Sequence, residues 1–238
     1  MKNQATTKVS FLTRILGKLS IRQRLLLIVI IIYIPLMIMG YNIYKDTTAK
    51  VDYVSLELEG SRAVKLLSLF NNKVAIHRGL SAKFLGGDQT SETLSSLSRL
   101  ATELDELDSE IEKTGKGLSL KLNIQAQWDK LAKEWKRIKN NFKSFEPSEN
   151  YESHTKLIAD ILSMISGLGD TSGLILDPDY DTFYLMDLAI YKLPYLSENL
   201  GKTRAFGVKL LSQKKAEAEE TEKMLFMLQD VISYERFS

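Results

Sequence analysis

The sequence predicts an all-α protein in which one transmembrane helix continues into an extracytoplasmic antiparallel helical bundle of about six helices. Two observations indicate this fold class. Residues 25–44 are an apolar run without a single charged side chain, and such a run is about 30 Å long as a helix, enough to cross a bilayer core. From Tyr53 onward apolar residues recur every three or four positions, with no long alternating β-branched run between them, which is typical of packed helices.

The charges on either side of the apolar run indicate its orientation. Residues 1–24 carry six Lys or Arg and no acid, whereas the residues that follow position 44 mix both signs. The positive-inside bias therefore places a basic tail, residues 1–24, in the cytoplasm and residues 45–238 on the other side of the membrane. A cleaved signal peptide is the alternative, but its apolar region is usually about 7 to 15 residues long. The longer run favours an uncleaved anchor at residues 25–44.

The composition excludes several classes of function. Six of the 32 basic residues lie in the tail, so residues 45–238 carry 26 basic residues against 30 acidic ones, and nucleic-acid binding has no support. The chain has no cysteine, which excludes disulfides, thiolate catalysis and cysteine zinc sites. Because no catalytic, metal or cofactor motif is recognisable, we expect neither an enzyme nor a bound metal or cofactor.

The first helix is predicted to continue from the membrane span to about Leu85, which adds on the order of 60 Å beyond the bilayer. No proline interrupts its apolar seam outside the membrane, and Gly86-Gly87-Asp88 then ends it and caps the next helix. The second helix is expected to end at Gly115, because a glycine in the left-handed conformation commonly closes a helix.

The third helix is expected to begin near Leu118 and to end before Pro147. Its stripe includes Trp128 and Trp135, one heptad apart, which we interpret as core residues, the alternative being a stack on an aromatic ligand. Five cations between positions 133 and 143 are interpreted as a solvated face. The fourth helix follows Pro147 and is expected to loosen through Gly167, Gly169 and Gly173.

The fifth helix is predicted to open at Asp177-Pro178, with aspartate as cap, and to be kinked at Pro194. The sixth begins near Ala216 and is still apolar on one face at Ile232. Short turns between helices predict antiparallel neighbours. We expect residues 45–238 to be a sensor domain truncated within its last helix, in a protein with a second span; a single-span protein is the alternative.

Three alternating acids resemble the first half of a calcium loop, but the rest of the loop is missing. Asp177, Asp179 and Asp181 are followed by Thr182 and Leu188, where such a loop needs a glycine and a bidentate glutamate. Carboxylates in the first turn of a helix interact favourably with the partial positive charge of its N-terminus. We therefore interpret these acids as helix-capping residues and predict no metal site.

The candidate ligand-binding residues are Arg62, His77 and Arg78, all on the first helix. His77 lies on the apolar seam and Arg78 is its neighbour, so the pair offers several hydrogen-bond donors to an anion or carboxylate. The alternative is that His77 is a hydrogen-bonded seam residue and Arg78 is solvated. Arg62 lies about four turns nearer the membrane and is predicted to face the same groove.

Three stretches resemble bacterial methyl-accepting chemotaxis receptors and related membrane sensor kinases. Residues 19–27 (LSIRQRLLL) are similar to the start of such proteins. Residues 77–82 (HRGLSA) with 85–88 (LGGD) resemble the end of a first extracytoplasmic helix. Residues 176–187 (LDPDYDTFYLMD), followed by LP at 193–194 and LGKTRAFG at 200–207, are similar to a segment that receptors share with histidine kinases.

This resemblance implies a homodimeric receptor of the bacterial inner membrane. Its periplasmic sensor domain, residues 45–238, binds a small molecule or anion and shifts its last helix relative to its first. In such receptors the movement crosses the membrane to a HAMP linker and a methylated coiled coil, and thereby controls chemotaxis. Nitrate-sensing members commonly use arginines on facing helices, which is a further reason to consider Arg62. The sensor portion of a histidine kinase or diguanylate cyclase remains an alternative, as does a membrane-anchored tether without a small ligand.

Overall fold

The computed structural model describes residues 17, 19–118, 122–176, 180–213 and 218–236, and all regular secondary structure among them is helical. The all-α class is therefore confirmed. The chain divides into two compact units, residues 1–53 and 54–238. The α-helices are α1 (Ile21–Leu85), α2 (Ser91–Gly117), α3 (Gln125–Asn141), α4 (Pro147–Ser172), α5 (Tyr180–Asp187), α6 (Leu193–Gln213) and α7 (Ala218–Arg236). A 3₁₀ turn, Phe142–Ser144, follows α3, and a π-helical segment, Leu188–Lys192, joins α5 to α6.

The first unit contains the apolar part of α1. Its most hydrophobic window has a mean hydropathy of 2.4 and no buried residue, so this helix is long and apolar enough to span a membrane. A capping box starts it, because the Ser20 amide donates to Gln23 Oε1 at 2.9 Å and the Gln23 amide to Ser20 Oγ at 3.4 Å. The helix thus begins within the basic flank and ends at Leu85, where the sequence predicts its end.

Local signals set most helix ends in the second unit. Gly87, with φ of 108°, follows the end of α1, and Thr90 caps α2 by accepting from the Thr93 amide. Pro147 lies in the first turn of α4, and Gly173, with φ of 79°, ends that helix. Glycine has no Cβ and adopts a positive φ without steric cost, which explains why glycine occupies both of these positions.

Two predicted helix limits are wrong. α2 continues through Gly115 to Gly117, and Leu118 is its C-cap rather than part of the third helix. A Cβ on Gly115 would lie 3.1 Å from Gln125 Oε1, so this glycine permits close packing against the start of α3. The predicted starts at Asp177-Pro178 and near Ala216 lie outside the described residues.

The core of the second unit follows a shared heptad repeat on α1 and α3. Phe70, His77 and Phe84 lie seven residues apart, and their partners Trp128, Trp135 and Phe142 have the same spacing. The corresponding ring centroids are 5.0, 5.0 and 6.0 Å apart, all with edge-to-face geometry. Both helices therefore run in the same direction with one constant offset, and the prediction that both tryptophans are core residues is confirmed.

α4 packs antiparallel to α1, because the contacting residue numbers rise on one helix and fall on the other. His77 contacts His154, and Gly60 lies against Ser172, whose side chain would collide with a Cβ at position 60. Gly60 is therefore required by the close approach of the two helices. This packing sets His77 and Arg78 opposite the first two turns of α4.

Candidate functional site

The two histidines of the chain form a buried pair between α1 and α4. His77 Nδ1 and His154 Nε2 are 2.8 Å apart, the rings are stacked with 24° between their planes, and neither residue is exposed to solvent. His154 Nδ1 lies 2.7 Å from the Asn150 carbonyl oxygen. The alternative interpretation from the sequence, that His77 is a hydrogen-bonded seam residue, is therefore confirmed for this residue.

Both imidazoles are neutral at physiological pH. Burial, and to a smaller extent the neighbouring His154, lower the pKa of His77 to about 3. Burial likewise lowers the pKa of His154 to about 4, against the raising effect of its hydrogen bond to the Asn150 carbonyl. A buried imidazolium would be poorly solvated here, which is why the uncharged form is favoured.

The hydrogen bonds also fix the tautomers of the pair. The Asn150 carbonyl can only accept, so His154 Nδ1 carries the hydrogen and its Nε2 accepts from His77 Nδ1. His77 Nε2 is then a buried acceptor, and it has no hydrogen-bond partner in the described part of the chain. The pair thus links α1 to α4 through one directed hydrogen-bond chain.

Arg78 forms a buried ion pair with Glu198 of α6. Its Nη1 donates to Glu198 Oε1 at 2.7 Å and its Nη2 to Oε2 at 2.9 Å, and the two side chains are only 7% and 5% exposed. Nη1 also donates to Thr155 Oγ1 at 3.0 Å. This two-pronged geometry is the strong form of an arginine–carboxylate contact. Arg78 is therefore not solvated, contrary to the alternative interpretation from the sequence.

Two further residues of α6 adapt this helix to the ion pair. A Cβ on Gly201 would lie 3.2 Å from Arg78 Nη2, so glycine gives the guanidinium its space. Lys202 lies 3.5 Å from Glu198 as a second, weaker cationic partner. Glu198 therefore accepts from the first helix while remaining close to a cation on its own helix.

A cavity of about 680 Å³ lies between α1 and α6, and we call it the α1/α6 pocket. The Arg78–Glu198 pair forms part of its wall. Its polar lining also includes Asn71, whose Oδ1 is buried without a hydrogen-bond partner among the described residues, and the exposed Arg204. The remaining lining is Ser68, Asn72, Ala75, Ile76, Ile165, Leu193, Pro194, Ser197, Leu200 and Gly201.

Arg62 does not share this pocket. It is exposed and lines a second cavity, of about 700 Å³, between α1 and α2 together with Lys65, Glu110 and Lys113. The structure therefore brings His77, Arg78 and Glu198 together and leaves Arg62 apart from them. A ligand-binding role for any of the three predicted residues stays a prediction.

Glu198 and Arg204 are the residues that sequence reasoning missed. Glu198 is 120 positions from Arg78, and no local pattern indicates such a pairing. A usable signal exists in hindsight, because Glu198 interrupts an otherwise apolar and small-residue stripe on α6 that ends in Gly201. A lone acid on an apolar stripe indicates a cation on the facing helix.

Comparison with known proteins does not contribute to the functional assignment, which therefore rests on the sequence and the geometry of the chain. No family model, no curated protein and no solved structure matches this sequence.

Proposed function

We propose that this protein is the sensor region of a bacterial membrane receptor for chemotaxis, in which residues 45–238 bind a small ligand outside the cytoplasm and residues 25–44 cross the inner membrane. The single observation in favour is the α1/α6 pocket, whose wall contains the buried Arg78–Glu198 ion pair. A ligand in this pocket contacts the first helix and α6 at the same time. It can therefore favour one arrangement of these helices over another, which is the physical requirement of a sensor.

The receptor proposal includes a helical bundle that assembles as a homodimer, consistent with the resemblance to chemotaxis receptors. The π-helical segment directly before Pro194 supports a movable α6, since π-helical turns are frequent at functional sites. Tyr191 in this segment donates to Asp170 Oδ1 at 2.5 Å and so ties it to α4. The segment lies immediately before the part of α6 that lines the pocket.

The membrane orientation is tested by labelling single cysteines in a chain that has none of its own. Lys130→Cys on α3 and Gln23→Cys at the basic flank are both exposed positions. We expect a membrane-impermeant maleimide to label Lys130→Cys in intact spheroplasts, and Gln23→Cys only after the membrane is permeabilised. The reverse pattern would overturn both the orientation and the sensor proposal.

Ligand binding is tested by a thermal-shift screen of amino acids, sugars, organic acids and inorganic anions on the full chain in nanodiscs. A ligand at about one hundred times its dissociation constant should raise the melting temperature by about 5 °C or more. The variant Ala75→Phe fills the pocket and should lose this shift, whereas Ala82→Phe, on the exposed side of the same helix, should keep it. An equal shift in both variants would place the ligand elsewhere.

The same preparation tests whether binding moves the helices. Spin labels at Ala82→Cys on α1 and Ala205→Cys on α6, both exposed outside the pocket lining, report the distance between the two helices. We expect the ligand found in the screen to change this distance by about 1–2 Å, the size of typical signalling shifts of helices. A bound ligand with no change in the distance distribution would contradict the sensor function and favour passive binding.

A further inference from the structure

The charges around the α1/α6 pocket determine which sign of charge its ligand carries. The pocket is lined by two arginines, Arg78 and Arg204, and by one acid, Glu198. The two oxygens of Glu198 are already occupied by the Arg78 guanidinium, and Lys202 lies 3.5 Å from it. Arg204 makes no ion pair with any residue that the structure describes. The pocket therefore has an excess of positive charge and an available guanidinium, which favours an anion and repels a cation.

The remaining lining selects the shape of the ligand. Ile76, Leu193 and Leu200 line the pocket and are still 52%, 50% and 49% exposed. Three large apolar side chains left open at one cavity gain free energy when an apolar group covers them. A volume of about 680 Å³ is also typical of sites for organic molecules and much larger than an inorganic anion needs.

Resting on the proposed function, we infer that the α1/α6 pocket takes a small organic monoanion with an apolar body, such as an aromatic or branched aliphatic carboxylate. Arg204 binds the carboxylate, and the apolar body covers Ile76, Leu193 and Leu200. Asn71 also lines the pocket, and its side-chain NH₂ group can donate to a polar substituent. Arg78 stays paired with Glu198, so the ion pair forms the wall of the site and is not the ligand-binding group.

The test uses three probes of one shape and three charges: benzoate, benzamide and benzylamine. Isothermal titration on the full chain in nanodiscs should give benzoate an affinity at least about ten-fold above that of benzamide, with no measurable binding of benzylamine. Arg204→Gln should weaken benzoate by about ten-fold or more, while Lys130→Gln, an exposed cation outside the pocket, should leave its affinity unchanged.

The inference would be overturned if benzamide or benzylamine bound with the same affinity as benzoate. It would also be overturned if Arg204→Gln bound benzoate as tightly as the unchanged chain does. Absence of binding by benzoate and isovalerate would overturn it as well. The proposed function has its own outcome, because a neutral or cationic ligand whose binding is lost in Ala75→Phe refutes the anion inference and keeps the sensor. Binding by no member of the screening panel refutes both.

Discussion

Acidification from about pH 7.5 to about pH 5 is expected to lower the free energy of unfolding of residues 54–238 by about 4 kcal/mol. The cause is the buried His77–His154 pair, whose folded-state pKa values of about 3 and about 4 lie well below the ordinary value of 6.5. Below 6.5 the unfolded chain binds two protons that the folded chain excludes. Each imidazole then lowers the free energy of unfolding by about 1.4 kcal/mol for each pH unit of acidification, until the pH reaches its folded-state pKa.

The direction of this effect follows from linkage. Stability rises with pH wherever the unfolded state holds more protons, so the contribution of the pair is fully present above about pH 6.5 and is lost as the pH falls. These are the only two histidines in the chain. Ordinary carboxylates titrate near pH 4, so the pH 5 to 7 interval reports the pair alone.

Urea unfolding followed by tryptophan fluorescence measures this pH dependence in the intact protein in neutral detergent. Trp128 and Trp135 are the only tryptophans, and both are buried in the second unit, so the signal belongs to that unit. The double variant His77→Gln/His154→Gln serves as control, since it should show almost no slope between about pH 5 and 7. A wild-type protein as flat as this variant would refute the neutral buried pair.

Glu198→Gln is expected to lower the free energy of unfolding by about 3–5 kcal/mol at neutral pH. The substitution leaves the Arg78 guanidinium buried without a counter-charge, next to Thr155, the Tyr151 ring at 5.6 Å and the one acceptor oxygen that the new amide retains. Arg78→Met should cost less, because Lys202 remains 3.5 Å from Glu198. The double variant Arg78→Met/Glu198→Leu should recover most of the loss, since it removes both buried charges together.

The matched control is the exposed ion pair between Lys116 and Glu112 on α2, with side chains 65% and 49% exposed. Glu112→Gln should change the free energy of unfolding by less than about 1 kcal/mol, because solvent screens surface pairs. The same urea titrations measure all four variants. A loss for Glu198→Gln as small as that for Glu112→Gln would show that the buried pair contributes little to stability.

Sequence reasoning was most successful where the cause is local. The helix end predicted at Gly86-Gly87 and the helix start predicted at Pro147 are both observed, because backbone sterics at one residue decide these features. The loosening predicted at Gly167 and Gly169 is wrong, since α4 is continuous to Ser172. The same reasoning failed at Gly115, which looks like a helix stop but serves close packing against α3. The positions of glycines in a sequence do not reveal whether a given glycine ends a helix or permits close packing.

Contacts between distant helices were not predictable from one sequence. The cations of α3 were interpreted as a solvated face, yet Lys139 lies 2.8 Å from Asp105 and Lys136 lies 3.2 Å from Asp108 on α2. The helical period correctly places these lysines away from the core, but partner choice depends on which helix lies alongside. For the same reason His77 and Arg78 were recognised as unusual, whereas their partners His154 and Glu198 were not assigned.

The stacked imidazoles also restrict which motions are accessible to the molecule. The positions one heptad away from His77 on α1 are Phe70 and Phe84, and neither can donate to His154 Nε2. A piston-like displacement of α1 along α4 would therefore strand a buried acceptor, a penalty of about 1–3 kcal/mol. A displacement of α6, in contrast, leaves this hydrogen bond intact, and the contact that limits it is the buried Arg78–Glu198 ion pair between α1 and α6.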